Sequence, residues 1–523
     1  MKYPIGVQTF EKLRTEGFVY VDKTALVYKM VNESSCYFLS RPRRFGKSLL
    51  LSTLKAYFEG KKELFEGLAI ADLEKDWTEY PVIHLDLNAK PFTKLQDLHD
   101  LLHDQLTVYE REYNSEAVDK SSEGRFRHLI RSIKEKTGKK VVVLIDEYDK
   151  PILQAIGNEE LQDQFRNTLK AFYGVLKSAD ADLRFTMLTG VTKFGKVSVF
   201  SDLNNLNDIS MDERFVEVCG ITEAELHQYF DEEIDALAQQ NRQTKEEAYA
   251  ELRKRYDGYH FCENSVGMYN PFSVLNTLEK RSYKDYWFAT GTPTYLVELL
   301  KKSGFDLQSL SNYETSESAL SSIHRADVNP IPVLFQSGYL TIKDVDMDMN
   351  TFLLDFPNNE VKKGFVTMVA SDYLKNREDT GSWARDVVNV LRNGDLEQFR
   401  KLLTSFLADI PYSMRRKETE RERERYFHYT FYLLMRMVSV YTTYTEKQQS
   451  EGRVDCIIET PDYIYIFEFK LDGTADEALQ QIEDKGYARP YEADSRKLFK
   501  IGVSFSSETG TVDDWKIKES VSK

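Results

Sequence analysis

Residues 37–48 read Tyr37-Phe38-Leu39-Ser40-Arg41-Pro42-Arg43-Arg44-Phe45-Gly46-Lys47-Ser48, and this stretch limits the folds open to the chain more than any other. An apolar run enters a turn, a glycine and a lysine follow, and Leu49-Leu50-Leu51 opens a helical pattern that continues through Tyr57-Phe58. Strand, loop and helix in that order place backbone N–H groups at a helix start, where the helix dipole favours a phosphate. Gly46 lets the backbone come close, Lys47 reaches for the outer phosphates, and the Ser48 hydroxyl is suited to Mg²⁺. The general pattern has a glycine five residues before Gly46, where this chain has Arg41. Gly-Lys-Ser by itself also fits an ordinary helix N-terminus, so a second motif has to decide.

Val141-Val142-Val143-Leu144-Ile145-Asp146-Glu147-Tyr148-Asp149 is that motif. Five apolar, mostly β-branched residues predict a strand buried on both faces. Asp146 then falls at the carboxyl end of the strand, where parallel α/β sheets bind ligands. There it can hold Mg²⁺, and Glu147 can polarise the water that attacks a terminal phosphate. The bland alternative is a strand followed by an acidic turn.

Four segments together resemble one family: Tyr20-Val21-Asp22-Lys23-Thr24, residues 40–48, Ile145-Asp146-Glu147-Tyr148-Asp149 and Leu188-Thr189-Gly190-Val191-Thr192-Lys193-Phe194. The chain is similar over nearly its whole length to the bacterial AAA-ATPase-like family, whose members usually carry a PD-(D/E)XK nuclease-like domain at the C-terminus. Arg41 looks normal for that family. The resemblance implies ATP as ligand, with Arg44, Phe45, Gly46, Lys47, Ser48, Leu49, Asp146 and Thr189 as its contacts. The family's bacterial setting points to phage defence or mobile-element control.

At 523 residues the chain is too long for one core, and two to four domains are expected. Cys36, Cys219, Cys262 and Cys456 are far apart, so neither a zinc cluster nor a disulfide framework is expected, and a reducing cytoplasm fits. Met1-Lys2-Tyr3-Pro4 does not open a signal peptide, and no apolar run is long enough to span a bilayer, so no membrane partner is expected. A net charge of −15 argues against sequence-blind coating of nucleic acid, although 70 Lys and Arg leave room for a local basic groove.

Along the chain, strands are expected at 81–88 and 183–190, with a helical, charged region at 95–136 between the first of these and the Asp146 strand. A helix carrying Phe165, Leu169, Phe172, Tyr173 and Leu176 then gives an amphipathic face. Alternating strands and helices argue for a parallel sheet covered on both faces. Residues 18–31 either pack near the nucleotide base or simply cover the sheet edge. Thr189 or Thr192 stands where a side chain can sense the terminal phosphate, with a satisfied turn as the alternative. Position alone suggests Arg166 and Arg184 as arginine fingers.

Thr222-Glu223-Ala224-Glu225 is a capping-box signature that opens a helical lid. Tyr269-Asn270-Pro271-Phe272 looks like a family element without assignable chemistry. Helix, strand, turn and strand across 325–357 suggest a small winged-helix-like unit. Its acidic turn at 344–350 favours interdomain packing over DNA reading. The run with Arg415-Arg416-Lys417 and alternating Glu and Arg reads as a solvated helix face or as the basic lip of a nucleic-acid groove.

The last hundred residues hold a second set of chemical groups. Asp455 interrupts the apolar run of Val454-Asp455-Cys456-Ile457-Ile458, and Glu468 and Lys470 share one face of Tyr463-Ile464-Tyr465-Ile466-Phe467-Glu468-Phe469-Lys470. Carboxylates in apolar surroundings need a partner. Mg²⁺ or Mn²⁺ suits Asp455, Glu468 and the Phe469 carbonyl, with Lys470 acting on the nucleophile or the developing charge. The order Asp-x12-Glu-x-Lys resembles the PD-(D/E)XK core. On that resemblance Asp455 and Glu468 are the acids, Lys470 is the lysine, Gln481 is the inward residue of the following helix, and Glu424 or His428 is a candidate extra ligand. A structural cross-strand Glu–Lys pair is the alternative.

The expected architecture is α/β: a P-loop NTPase parallel sheet, a helical lid with a small winged-helix-like unit, then a C-terminal α/β PD-(D/E)XK-like domain. The expected bounds are 1–220 for the ATPase, 221–410 for the lid region and 411–523 for the nuclease-like domain. Catalysis is expected from Glu147, Asp455, Glu468 and Lys470, and metal ligation from Ser48, Asp146, Asp455, Glu468 and Phe469, acting on DNA or RNA. A competing reading is an ATP-switched regulatory or nucleic-acid-binding protein with an inactive nuclease-like fold. A purely structural role fits two separate sets of chemical residues poorly. The sequence leaves homo-oligomerisation open.

Overall fold

The computed structural model describes residues 1–193, 205–289, 313–320, 329–373, 380–408, 442–449 and 452–520, with isolated positions between 290 and 328. By packing, the chain forms two compact units. One comprises residues 1–305 and 310–362, the other residues 306–309 and 363–523.

The first unit is built on five strands: β1 (Cys36–Ser40), β2 (Val82–Asp86), β3 (Val141–Asp146), β4 (Leu183–Gly190) and β5 (Asn207–Asp208). Every pairing is parallel, in the order β2-β3-β4-β1-β5. The four strands expected from apolar runs are all present, and β3 is buried along its whole length. The two-residue β5 has no apolar run of its own to announce it.

Helices cover both faces, as side-chain alternation requires. Tyr37 and Leu39 join Leu51, Leu54, Phe58 and Phe185 in one core. Phe38 points the other way, onto Tyr148, which in turn meets Tyr173 of the helix Glu159–Ser178. The expected helical stretch at 95–136 is two helices, Leu95–Glu112 and Ser122–Thr137. Asp22 of the Tyr-Val-Asp-Lys-Thr segment has a structural duty. One oxygen accepts from the Thr24 N–H and hydroxyl, the other from the Ala69 N–H, so it joins two helix starts.

Beyond the sheet, Glu223–Asn241, Lys245–Tyr256 and Pro271–Lys280 pack around Phe230, Ile234, Leu252 and Val274. The expected capping box forms: Thr222 Oγ1 accepts from Glu225 N at 3.1 Å, and the Glu225 carboxylate accepts from Thr222 N at 2.9 Å. A short antiparallel pair, β6 (Ile221–Thr222) and β7 (Met268–Tyr269), closes this layer. The small helix-and-hairpin unit is also present. The helix Ile331–Gln336 falls in the chain between β8 (Tyr313–Ser316) and the hairpin of β9 (Thr341–Asp346) and β10 (Thr351–Asp355), and the three strands form an antiparallel sheet in the order β8-β10-β9.

The second unit holds a mixed sheet of β11 (Thr442–Gln449), β12 (Gly452–Glu459), β13 (Tyr463–Leu471), β14 (Lys497–Phe505) and β15 (Val512–Ser520), in that order. Only β13 and β14 run parallel, and the chain between them contains the helix Ala475–Asp484. Gly502 allows that helix to lie on the sheet, because a Cβ there would come within 2.2 Å of the Ala475 carbonyl oxygen. The helices Thr380–Arg392 and Leu396–Ala408 belong to this unit, and Tyr465 donates to the Leu391 carbonyl at 2.6 Å.

Two candidate active sites

The first site lies where β1, β2 and β3 end. Gly46 adopts φ +100°, a conformation that a side chain would strain, and the helix Lys47–Phe58 starts at the next residue. Lys47 is 4% exposed. Its ammonium donates to the carbonyls of Arg41 at 3.0 Å and Pro42 at 3.3 Å, and stands 3.4 Å from Glu147 Oε1. Glu147 has φ +53°, a strained setting for a non-glycine residue at the end of a strand. Beside it, Asp146 Oδ1 accepts from the Glu147 N–H at 3.0 Å and from the Thr189 hydroxyl at 2.7 Å.

A cavity of about 460 Å³ opens on this loop, lined by Arg43, Arg44, Lys47, Ser48 and Glu147, with residues 4–8 and the start of Pro271–Lys280 as its other walls. A smaller recess of about 100 Å³ shares Phe45, Leu49, Pro271 and Leu275 with it and continues along Val19, Tyr20 and Val21. Of the expected nucleotide contacts, Arg44, Phe45, Gly46, Lys47, Ser48 and Leu49 line the cavity. Asp146 does not, and neither do Thr189 and Thr192. Both threonines are fully buried, and their hydroxyls are donated to Asp146 and Asp149. Arg166 pairs with Asp163, and Arg184, in the first half of β4, sits over Phe58 and Tyr80. Neither arginine is among the cavity's lining residues.

Other residues shape this site without any local signal. Arg41 is 1% exposed; its guanidinium lies 4.1 Å from the Phe261 ring centroid and donates to the carbonyls of Ser40 and Ser210. It thus anchors the loop sideways where the general pattern has only a glycine. Asp149 accepts from Val191 N, Thr192 N and the Thr192 hydroxyl, which holds the turn after β4. Burial, reinforced by the Glu147 charge, pushes its carboxyl up to about 6. The Tyr269-to-Phe272 element acquires a role as well. Asn270 caps Pro271–Lys280, and Phe272 lines the cavity with the Arg44 guanidinium 4.9 Å from its ring centroid.

The second site is in the mixed sheet. β12 and β13 run antiparallel with Cys456 opposite Phe467, which brings Asp455 and Glu468 side by side one step further on. Asp455 Oδ2 accepts from the Phe469 N–H at 2.8 Å. Glu468 is 1% exposed and accepts from the Gln481 side-chain amide. The Lys470 ammonium donates to Gln481 Oε1 at 2.6 Å, so Gln481 joins the acid to the lysine. Adjacent carboxylates with a nearby backbone carbonyl are hard oxygen donors that fit Mg²⁺ or Mn²⁺. No cluster of three or more His, Cys, Asp or Glu suited to a metal occurs among the described residues. The candidate extra ligands Glu424 and His428, and the basic run at 415–417, lie outside them.

Comparison with known proteins agrees with this division. Residues 4–200 match the model of a predicted AAA-ATPase family, and residues 422–515 match that of the PD-(D/E)XK nuclease superfamily. An uncharacterized protein in the vnfD 5' region of Azotobacter chroococcum mcd 1 is 36% identical over 517 residues, covering 98% of each chain. No helix among the described residues is long and apolar enough to cross a membrane. The chain therefore belongs to the AAA-ATPase-like family, with a PD-(D/E)XK nuclease superfamily domain at its C-terminus.

Proposed function

We propose that the chain is an ATP-hydrolysing protein coupled to a Mg²⁺- or Mn²⁺-dependent nuclease acting on DNA or RNA. The observation that carries the ATPase half is Lys47 and Glu147 meeting at 3.4 Å on the wall of a cavity with a cationic end and an apolar recess. Phosphates fit the first and a base the second. Lys47 binds the outer phosphates, and Glu147 takes a proton from the attacking water. The water oxygen bonds to the γ-phosphorus as the bond to the bridging oxygen breaks, and that electron pair leaves on ADP. Asp146 and Ser48 are hard donors that suit Mg²⁺, which when bound neutralises phosphate charge.

In the second site, Asp455, Glu468 and the Phe469 carbonyl are the proposed ligands of a divalent cation, which when bound supplies a more acidic water and a charge for the phosphodiester oxygens. Gln481 fixes the Glu468 carboxylate and the Lys470 ammonium relative to one another. Lys470 orients the nucleophile or balances the developing charge. A cytoplasmic setting and a role in phage defence or mobile-element control complete the reading.

One experiment tests both halves: ATP turnover and cleavage of DNA and RNA with Mg²⁺ or Mn²⁺, by the wild type, Glu147→Gln and Asp455→Ala. Glu147→Gln is expected to keep ATP affinity and lose turnover, and Asp455→Ala to lose cleavage while binding ATP normally. Wild-type turnover by Glu147→Gln, or robust cleavage by Asp455→Ala, would overturn the corresponding half. Nucleotide-dependent rearrangement without any cleavage would favour the ATP-switched regulator.

A further inference from the structure

Four cations line the larger cavity, Arg43, Arg44, Lys47 and Lys150, against the single carboxylate of Glu147 among the described residues. Lys47 is already engaged by the loop carbonyls and Glu147. Lys150 comes from the other side, four residues past the end of β3, and its charge is held differently. Its ammonium donates to the backbone carbonyl and the side-chain oxygen of Asn88, both at 2.8 Å. Asn88 lies just past the end of β2 and itself lines the cavity.

These acceptors are neutral, so they aim the ammonium without cancelling it. A second brace, from Phe92 N to Gln154 Oε1 at 2.8 Å, ties the loop after β2 to the short helix Lys150–Gln154. An ammonium held by two fixed oxygens beside Glu147 is a preorganised donor for charge that grows on a phosphoryl group.

Resting on the nucleotide reading above, we propose that Lys150 is a catalytic residue of the ATPase site, meeting the terminal phosphate of the bound nucleoside triphosphate, with Asn88 as the residue that positions it. The charge counter to the transition state is then supplied within the chain. Lys150 takes no part in bond making. As water adds to the γ-phosphorus and the bridging oxygen departs with ADP, the ammonium pairs with the charge that gathers on the γ-oxygens.

The test uses the full chain with ATP, ADP, and ADP plus aluminium fluoride, comparing the wild type with Lys150→Met, Lys150→Arg, Asn88→Ala and the Lys150→Met/Asn88→Ala double variant. Lys150→Met is expected to lower kcat about 100-fold or more. ADP affinity should stay within about twofold, because only the terminal phosphate loses a contact, and trapping of ADP with aluminium fluoride should fall in parallel with kcat. Lys150→Arg is expected to recover part of the rate. Asn88→Ala should lower kcat less than Lys150→Met, and the double variant should be no slower than Lys150→Met alone, because both act through one group. A purely bracing role would lower the melting temperature and leave kcat within about threefold of wild type, which would overturn the assignment. An equal loss of ATP and ADP affinity would also overturn it. A wild-type chain that binds neither nucleotide would instead overturn the nucleotide reading itself, and this assignment with it.

Discussion

Glu360 is 2% exposed, and its two carboxylate oxygens are divided between two partners. Oε2 accepts from the Ser273 hydroxyl at 2.7 Å, in the first turn of the helix that walls the larger cavity. Oε1 accepts from Trp287 N at 2.7 Å, and the same tryptophan's indole donates to the Arg43 carbonyl of the phosphate loop at 3.1 Å. Burial is the main force on this acid and outweighs the two hydrogen bonds. Asp285 adds to the rise and Arg255 opposes it, and the carboxyl is pushed from 4.5 up to about 7. Each tenfold change in proton affinity is worth about 1.4 kcal/mol, so the cost of holding this charge inside is roughly 3 kcal/mol.

The sign follows from which state holds the proton. Below about pH 4.5 both the folded and the unfolded chain carry it, and there is no cost. Between about 4.5 and 7 the unfolded chain has released it and the folded chain has not, so stability falls as pH rises and the full cost is present above pH 7. Glu360→Gln keeps the shape, with its oxygen on Trp287 N and its amide turned to the Ser273 oxygen, and removes the charge. The variant-minus-wild-type stability is therefore expected to rise by roughly 3 kcal/mol between pH 4.5 and pH 8. Urea unfolding followed by tryptophan fluorescence across that range checks it. A difference that is flat with pH, or that grows on acidification, would refute the reasoning.

Asp149→Ala leaves the buried N–H groups of Val191 and Thr192 without their acceptor, and a loss of roughly 2–4 kcal/mol is expected in thermal or urea unfolding. Gly502→Ala drives a methyl group into the Ala475 carbonyl and is expected to cost roughly 1–3 kcal/mol, read as earlier unfolding of the C-terminal unit by limited proteolysis. Gln481→Ala frees Lys470 and Glu468 from each other, so nucleic-acid cleavage should slow about 10- to 100-fold, with metal affinity from calorimetry separating a ligand effect from a lysine effect.

Much of the architecture was legible in the sequence because it rests on short-range rules. A continuous β-branched run ending in Asp146 makes a strand buried on both faces wherever it is placed, and β3 is that strand. Thr222 and Glu225 are three residues apart, and the capping box they form needs nothing else. Alternation along β13 put Glu468 and Lys470 on one face, where Gln481 reaches both. The phosphate loop was legible for the same reason, since Gly46, Lys47 and Ser48 act within a single turn.

Tertiary structure decided what distant segments do to one another. Thr189 was expected at the phosphate, yet the β3–β4 register sets it against Asp146, and a hydroxyl buried there bonds the nearest acceptor. Arg184 lies in the first half of β4, over Phe58 and Tyr80 and away from the carboxyl end of the sheet where the phosphate loop lies. Arg41 against Phe261, Lys150 against Asn88, and Glu360 between Ser273 and Trp287 join positions 62 to 220 residues apart. No periodicity links such pairs. They meet only when the sheet order and the helix packing close the chain around them, and burial then determines which of their charges are costly and which are held ready for a ligand.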